Sequence, residues 1–211
     1  NAKHVYLQVA QVHDRAGDGD AAAAALEAAC KHFRASKKVW VARMERLMRQ
    51  GDPPGARKVL ERALQALPRR KHVRAILKFA QLEYRHGSVE RARTVMDGVL
   101  AHHPKRLDLW SVYLDMETRD GAGTDPADVR RLFERAGSLN LSSKKMKYIF
   151  KRWLLWEEAH GGPAEVARVQ DRAREYVEMK TGDQGGRGED GKEEESDVED
   201  GAAPESGGES D

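Results

Sequence analysis

Nine basic residues return in small groups along the first three quarters of the chain. They are Lys37 and Lys38; Arg69, Arg70 and Lys71; Lys105 and Arg106; and Lys144 and Lys145. Lysines and arginines grouped this way offer one chemistry, the neutralisation of RNA phosphates or of the carboxylates of an acidic protein segment. Carboxylates gather in the intervals, at Asp18, Asp20, Asp52, Glu90, Asp120, Asp125 and Glu165. A simpler electrostatic cause fits the same arrangement. Acids at helix starts and bases at helix ends complement the helix dipole, by ~0.3–1 kcal/mol each. The two readings are compatible, and the sequence leaves both open.

Residues able to do bond-making chemistry do not converge. The histidines (His4, His13, His32, His72, His86, His102, His103 and His160) form no His-Glu-x-x-His pattern and have no cysteines at zinc spacing. Cys30 is the single cysteine, without a histidine or aspartate constellation to activate it, and is expected to be a small core residue. No phosphate-binding loop is present, and Gly185-Gly-Arg-Gly188 stands in an acidic region. The expectation is a protein with no catalytic site, no metal and no cofactor. Trp40, Trp110, Tyr113, Trp153 and Trp156 could stack on bases. Their helical spacing on apolar faces instead predicts core positions.

The elements that must position these residues form a repeat. A large apolar residue is followed eleven positions later by glycine in five pairs: Tyr6 with Gly17, Trp40 with Gly51, Ile76 with Gly87, Trp110 with Gly121, and Phe150 with Gly161. The first helix of each unit places apolar residues at i, i+3 and i+6 or i+7, best seen in Trp110-Ser-Val-Tyr113-Leu-Asp-Met-Glu117. Trp40-Val-Ala-Arg43 departs from it, with Arg43 at the second aromatic position and Leu47 at the acidic one. Second helices align on Glu27, Glu61, Asp97, Glu134 and Asp171, and Ala56-Arg-Lys-Val-Leu-Glu-Arg-Ala63 is the clearest copy. Such a period predicts stacked helical hairpins. The expected fold is all-α: a right-handed α-solenoid of about five hairpins over residues 1–180, with repeats near 3–36, 37–70, 71–105, 106–142 and 143–180. In such a stack the nine bases fall at the unit-to-unit connections, along one edge.

The aromatic, second aromatic and glutamate at Trp110, Tyr113 and Glu117, and at Phe150, Trp153 and Glu157, resemble the half-a-TPR (HAT) repeat, as do Phe79 with Glu83 and the following Glu-Arg-Ala motif. Trp40 stands at the first position of a weaker copy. The segments Lys78–Gly87, Pro104–Met116 and Lys145–Trp153 are further similar to the C-terminal HAT/TPR region of large nucleolar rRNA-processing factors carrying S-one-type OB-fold domains. That resemblance covers about residues 37–180. It implies a scaffold in the nucleus and nucleolus, acting in pre-rRNA processing with pre-ribosomal proteins and the snoRNP-containing small-subunit processome. It also implies that pre-rRNA is held mainly by OB-fold domains upstream of this region, which are absent here. The alternative is a HAT-repeat adaptor of a splicing or mRNA 3′-end-processing complex.

Composition agrees with an elongated stack: of 211 residues, 39% are hydrophobic and 34% charged. The net charge of +2 conceals a division. Residues 181–211 carry −10, leaving +12 on the rest, and their Gly, Glu, Asp and Ser content predicts a disordered acidic tail. No apolar run approaches a membrane span, and no signal-peptide pattern precedes the first repeat. The single cysteine fits a reducing compartment. The chain begins at Asn1 directly in helical pattern, as expected of a piece of a longer protein.

Overall fold

A computed structural model of the protein describes residues 2–119 and 124–183. Among these residues it contains ten α-helices: α1 (Ala2–Arg15), α2 (Gly19–His32), α3 (Lys37–Arg49), α4 (Pro53–Ala66), α5 (His72–His86), α6 (Val89–His102), α7 (Leu107–Arg119), α8 (Pro126–Gly137), α9 (Ser143–His160) and α10 (Pro163–Asp183). A single 3₁₀ turn, Arg69–Lys71, joins α4 to α5. Odd and even helices pair as antiparallel hairpins, and each odd helix also packs on the hairpin before it. The architecture is an all-α, right-handed α-solenoid. The tail predicted over 181–211 lies, from residue 184 onward, outside the described residues, as do Asp120 and Gly121.

The carboxylates inside the hairpins have a local task. Asp18, Asp52 and Asp125 accept hydrogen bonds from the backbone N–H groups of Ala21, Gly55 and Ala127 at 3.0, 2.8 and 2.9 Å, capping α2, α4 and α8. Pro53 and Pro126 open two of those helices, where a missing N–H costs nothing. Glu165 accepts from the Gly162 N–H at 2.9 Å. Hydrogen bonding to its own backbone N–H, and then to that of Gly162, holds its carboxyl below the usual range.

Three unit-to-unit corners are closed by side chains of the following helix, and the α8–α9 corner by Tyr176 of α10, whose hydroxyl donates to the Leu141 carbonyl at 2.7 Å. The indole N–H groups of Trp40 and Trp110 donate to the carbonyls of Arg34 and Pro104, both at 2.8 Å. His72 Nε2 does the same for Leu67, also at 2.8 Å, in the tautomer that carries its proton there. A phenylalanine would fill the same space without closing the corner, which is a reason for tryptophan at these positions. Apolar faces of successive helices then form two clusters. Helix α5 is their common wall: Ala75, Phe79 and Leu82 face the first cluster, Leu77 and Ala80 the second.

Candidate interaction surface and the links between hairpins

Three glutamates are buried among the apolar faces: Glu83, Glu117 and Glu157, at 1%, 5% and 2% exposure. A carboxylate in such surroundings requires a partner. Each finds an arginine from the second helix of the preceding hairpin. Glu83 meets Arg57 at 3.3 Å, Glu117 takes a two-pronged bond from Arg93 at 2.8 Å on both sides, and Glu157 takes one from Arg130 at 3.0 Å. These hydrogen bonds raise the pKa of Arg93 and Arg130 above the ordinary arginine range. Glu157 also accepts from the Trp153 indole at 3.2 Å, and Glu83 from the Ser88 N–H at 3.2 Å. Among the described residues no buried side-chain nitrogen or oxygen lacks a partner.

A second ladder joins successive even helices. Arg62 donates to Glu27 at 3.0 Å and Arg135 to Asp97 at 2.9 Å, so an arginine one place after the aligned acid reaches the acid of the previous unit. The same guanidinium groups lie over the first-helix tryptophans, Arg62 over Trp40 at 5.9 Å and Arg135 over Trp110 at 5.7 Å. Arg172 lies over Trp153 at 5.9 Å. Gly98 occupies this position in α6, and a side chain there would meet open space. In the two Glu-Arg-Ala copies the arginine thus reaches back to the acid of the previous unit, Glu27 or Asp97, and the alanine, Ala63 or Ala136, sits fully buried.

The first junction is built differently. Leu47 stands where the buried glutamates stand, and Ala23 where their arginines do. Arg46, one place earlier and 7% exposed, reaches Asp14 at 2.8 Å and the Gly19 carbonyl at 2.7 Å instead. Arg43 pairs with Glu27, which also receives Arg62. Burial, followed by the charge of Arg62, lowers the pKa of Arg43.

The aromatic candidates for base stacking are inside: Trp40, Trp110, Tyr113, Trp153 and Trp156 are 1–8% exposed, with Trp153 stacked on Phe133 at 5.9 Å. Phe79 and Phe150 are buried with them. Burial pushes the Cys30 thiol up to about 11. Among the described residues no group of three or more His, Cys, Asp or Glu could hold a metal ion. No described helix is long and apolar enough to cross a membrane.

The nine corner bases divide in two. Lys71 donates to the Ala35 carbonyl at 2.8 Å, tying one corner to the next, and Arg106 is bound to Asp108 at 3.1 and 2.5 Å. Lys37 and Lys145 are half-buried and also engaged. Lys38, Arg69, Arg70, Lys105 and Lys144 are exposed and make no ion pair with a described residue. The helix-dipole reading holds for the acids as caps; these five bases are what the corners leave to solvent.

A family profile described as the PRP39 N-terminal HAT repeat matches residues 72–181, just over half of the sequence. The chain belongs to the HAT-repeat family. A second HAT profile, that of the C-terminal repeats of the pre-mRNA-splicing factor Syf1/CRNKL1, matches residues 1–97. Curated relatives of this HAT module are RRP5 proteins. It is 39% identical over 177 residues to the mouse (Mus musculus) Protein RRP5 homolog, covering 84% of this chain and 9% of the relative. It is 41% identical to the rRNA biogenesis protein rrp5 of Schizosaccharomyces pombe, covering 82% and 10%, and 41% identical to RRP5 of Arabidopsis thaliana, covering 83% and 9%. The chain thus spans about a tenth of the length of these relatives. Among solved structures, the flexible tandem repeat domain of a bacterial cellulose synthase component aligns at 20% identity over 87% of this chain and 91% of that one, with a TM-score of 0.35, too low to carry an argument.

Sequence reasoning found the glutamate column but not its arginines. Partners stand 24–27 residues apart, in a different hairpin. The available signal was an arginine four places before the aligned acid in three of the second helices, directly after a small or branched residue: Ala56-Arg57, Ala92-Arg93 and Val129-Arg130.

Proposed function

We propose that this HAT module is a non-catalytic scaffold of a ribosome-biogenesis factor, acting in pre-rRNA processing and small-subunit processome assembly in the nucleolus. The observation that carries this reading is the identity of about 40% to RRP5 proteins along more than four fifths of the chain. The construction fits a holding role: buried Arg–Glu links tie hairpin to hairpin, so surface groups keep fixed spacing along the stack. Pre-ribosomal proteins of the processome are the main partners in this reading. The five exposed corner bases supply a secondary contact to pre-rRNA phosphates, while the OB-fold domains of the longer protein hold most of the RNA. The expected division into a solenoid over 1–180 and an acidic segment over 181–211 is part of the same proposal.

A second reading has its own support. One of the two matching profiles is described as that of a pre-mRNA-splicing factor, which favours a HAT adaptor of a splicing or mRNA 3′-end-processing complex. The corner contact is tested by titrating a single-stranded pre-rRNA segment at several salt concentrations. If all five bases engage phosphates, the log of the affinity falls by about 3.5 per log unit of salt. Replacing Lys38, Arg69, Arg70, Lys105 and Lys144 by glutamate then removes binding. A flat salt response, or unchanged binding by that variant, overturns the RNA contact.

A further inference from the structure

Helices α9 and α10 enclose a groove of about 630 Å³ on the face turned away from α8, lined by Leu154, Val169, Ala173 and Val177 among others. The repeat identifies what such a place receives. Leu154 corresponds to Leu114, which is fully buried on α7, the helix covered by α9 of the next hairpin. Leu154 is only half-buried and the neighbouring Leu155 is 55% exposed, so the α9–α10 groove is a helix seat with no described helix in it.

Its chemistry differs from the inner seat. On α7 the stripe facing α9 is Leu107, Ser111 and Asp115, where Asp115 takes Arg152 of α9 at 2.7 Å and Ser111 meets Tyr148 at 2.8 Å. The matching stripe on α9 is Lys147, Lys151 and Leu155, and Lys180 of α10 lines the same groove. Among the described residues no carboxylate lines it. The arginine that would receive a buried glutamate is also missing, since Ala167 stands at the position of Arg57, Arg93 and Arg130. A further helix built like α9, bringing an arginine like Arg152 and a buried glutamate like Glu157, would be mismatched.

We propose that this seat binds an amphipathic helix of another polypeptide, with an apolar stripe at i, i+3 or i+4 and i+7 flanked by Asp or Glu. Apolar residues cover Leu154 and Val177, and the flanking carboxylates meet Lys147 and Lys151, beside Lys180, which also donates to Asn140 at 2.9 Å. The chain's own acidic segment does not suit: over residues 184–211 its apolar side chains are Val198, Ala202, Ala203 and Pro204, which form no such stripe. A second copy does not suit either. Helix α1 exposes Val5, Val9 and Val12, but with Lys3, His4, His13 and Arg15 around them, and its one carboxylate, Asp14, is held by Arg46. Basic would face basic. The proposal rests on the scaffold reading and names the class of partner held at this end.

Two fluorescent 18-residue helical peptides with the same leucine stripe, one flanked by glutamates and one by lysines, serve as probes. The acidic peptide is expected to bind the full chain about tenfold more tightly at low salt. Lys147→Glu with Lys151→Glu is expected to reverse the order, and circular dichroism to show unchanged helix content, since both lysines are exposed. Equal binding, preference for the basic peptide, or indifference to the charge reversal overturns the proposal. A photocrosslinker at Leu155 in nuclear extract identifies the source. An acid-flanked amphipathic segment of another protein supports the proposal. Crosslinks to residues 184–211, to a second copy or to RNA overturn it. If the seat fails while the chain still associates with pre-ribosomal particles, this inference falls and the scaffold reading stands.

Discussion

The first junction of the solenoid and the three that follow solve one packing problem with different chemistry. Between α4 and α5, α6 and α7, and α8 and α9, a buried glutamate is held by an arginine of the preceding hairpin. Between α2 and α3 those two positions are Ala23 and Leu47, and the polar link is moved to Arg43 and Arg46. The four described glycines that end the first helices of their units follow the same division. Gly17 and Gly51 have φ of 80° and 76°, a left-handed turn that glycine adopts without strain. Gly87 and Gly161 have ordinary negative φ, and a Cβ there would collide with the carboxylates of Glu83 and Glu157. One spacing, repeated along the chain, thus has two physical causes. Where the glutamate is present, glycine makes room for it; where His13 or Leu47 stands in its place, glycine makes the turn.

Stranding a buried carboxylate should have the largest effect. Arg130→Ala leaves Glu157 in apolar surroundings and is expected to cost about 3 kcal/mol of unfolding free energy by denaturant titration. Glu157→Gln should cost less, because Arg130 is the more exposed partner and can turn to water. The reverse order would show that the carboxylate is not the constrained member. Next comes a double-mutant cycle on glycine. Gly161→Ala should lose ~1–2 kcal/mol in the native background and most of that loss should vanish when Glu157 is already alanine. Gly51→Ala should cost about 1 kcal/mol whether residue 47 is leucine or alanine, since its cause is φ. Equal coupling at both places would erase the distinction.

Cys30 gives a probe of the first junction alone. Its thiol is 1% exposed, is raised to about 11 by burial, and lies 3.9 Å from the Val39 carbonyl across that junction. Alkylation near neutral pH should therefore proceed only through local opening. Arg46→Ala is expected to speed it roughly tenfold, corresponding to about 1.4 kcal/mol, and Arg130→Ala to leave it unchanged. A common acceleration by both would mean that the two halves open as one unit. The smallest effect belongs to the corners: reversing Lys38, Arg69, Arg70, Lys105 and Lys144 should change stability by no more than about 0.5 kcal/mol, because these side chains hold nothing in the fold.

The period, the helix order and the burial of Trp110, Tyr113 and Trp153 were legible because each is a local pattern of 3 to 11 residues. The HAT character was legible through the same residues. Arg57, Arg93 and Arg130 were hidden because nothing local ties an arginine to a glutamate in another hairpin. The corner bases were visible as a set, but their partition was not: Lys71 and Arg106 are spent on Ala35 and Asp108, contacts that depend on how the corners fold back. The seat on α9 and α10 escaped for the opposite reason. Leu154 fits the repeat as well as Leu114 does, and only the absence of a described covering helix separates them.

Crosslinking mass spectrometry with RNA crosslinking, on the tagged chain in nuclear extract, tests the assignment most directly. Crosslinks to pre-rRNA through the corners, and to pre-ribosomal proteins through the α9–α10 seat, are the predicted result. Crosslinks to spliceosomal or 3′-end-processing proteins in their place would contradict it.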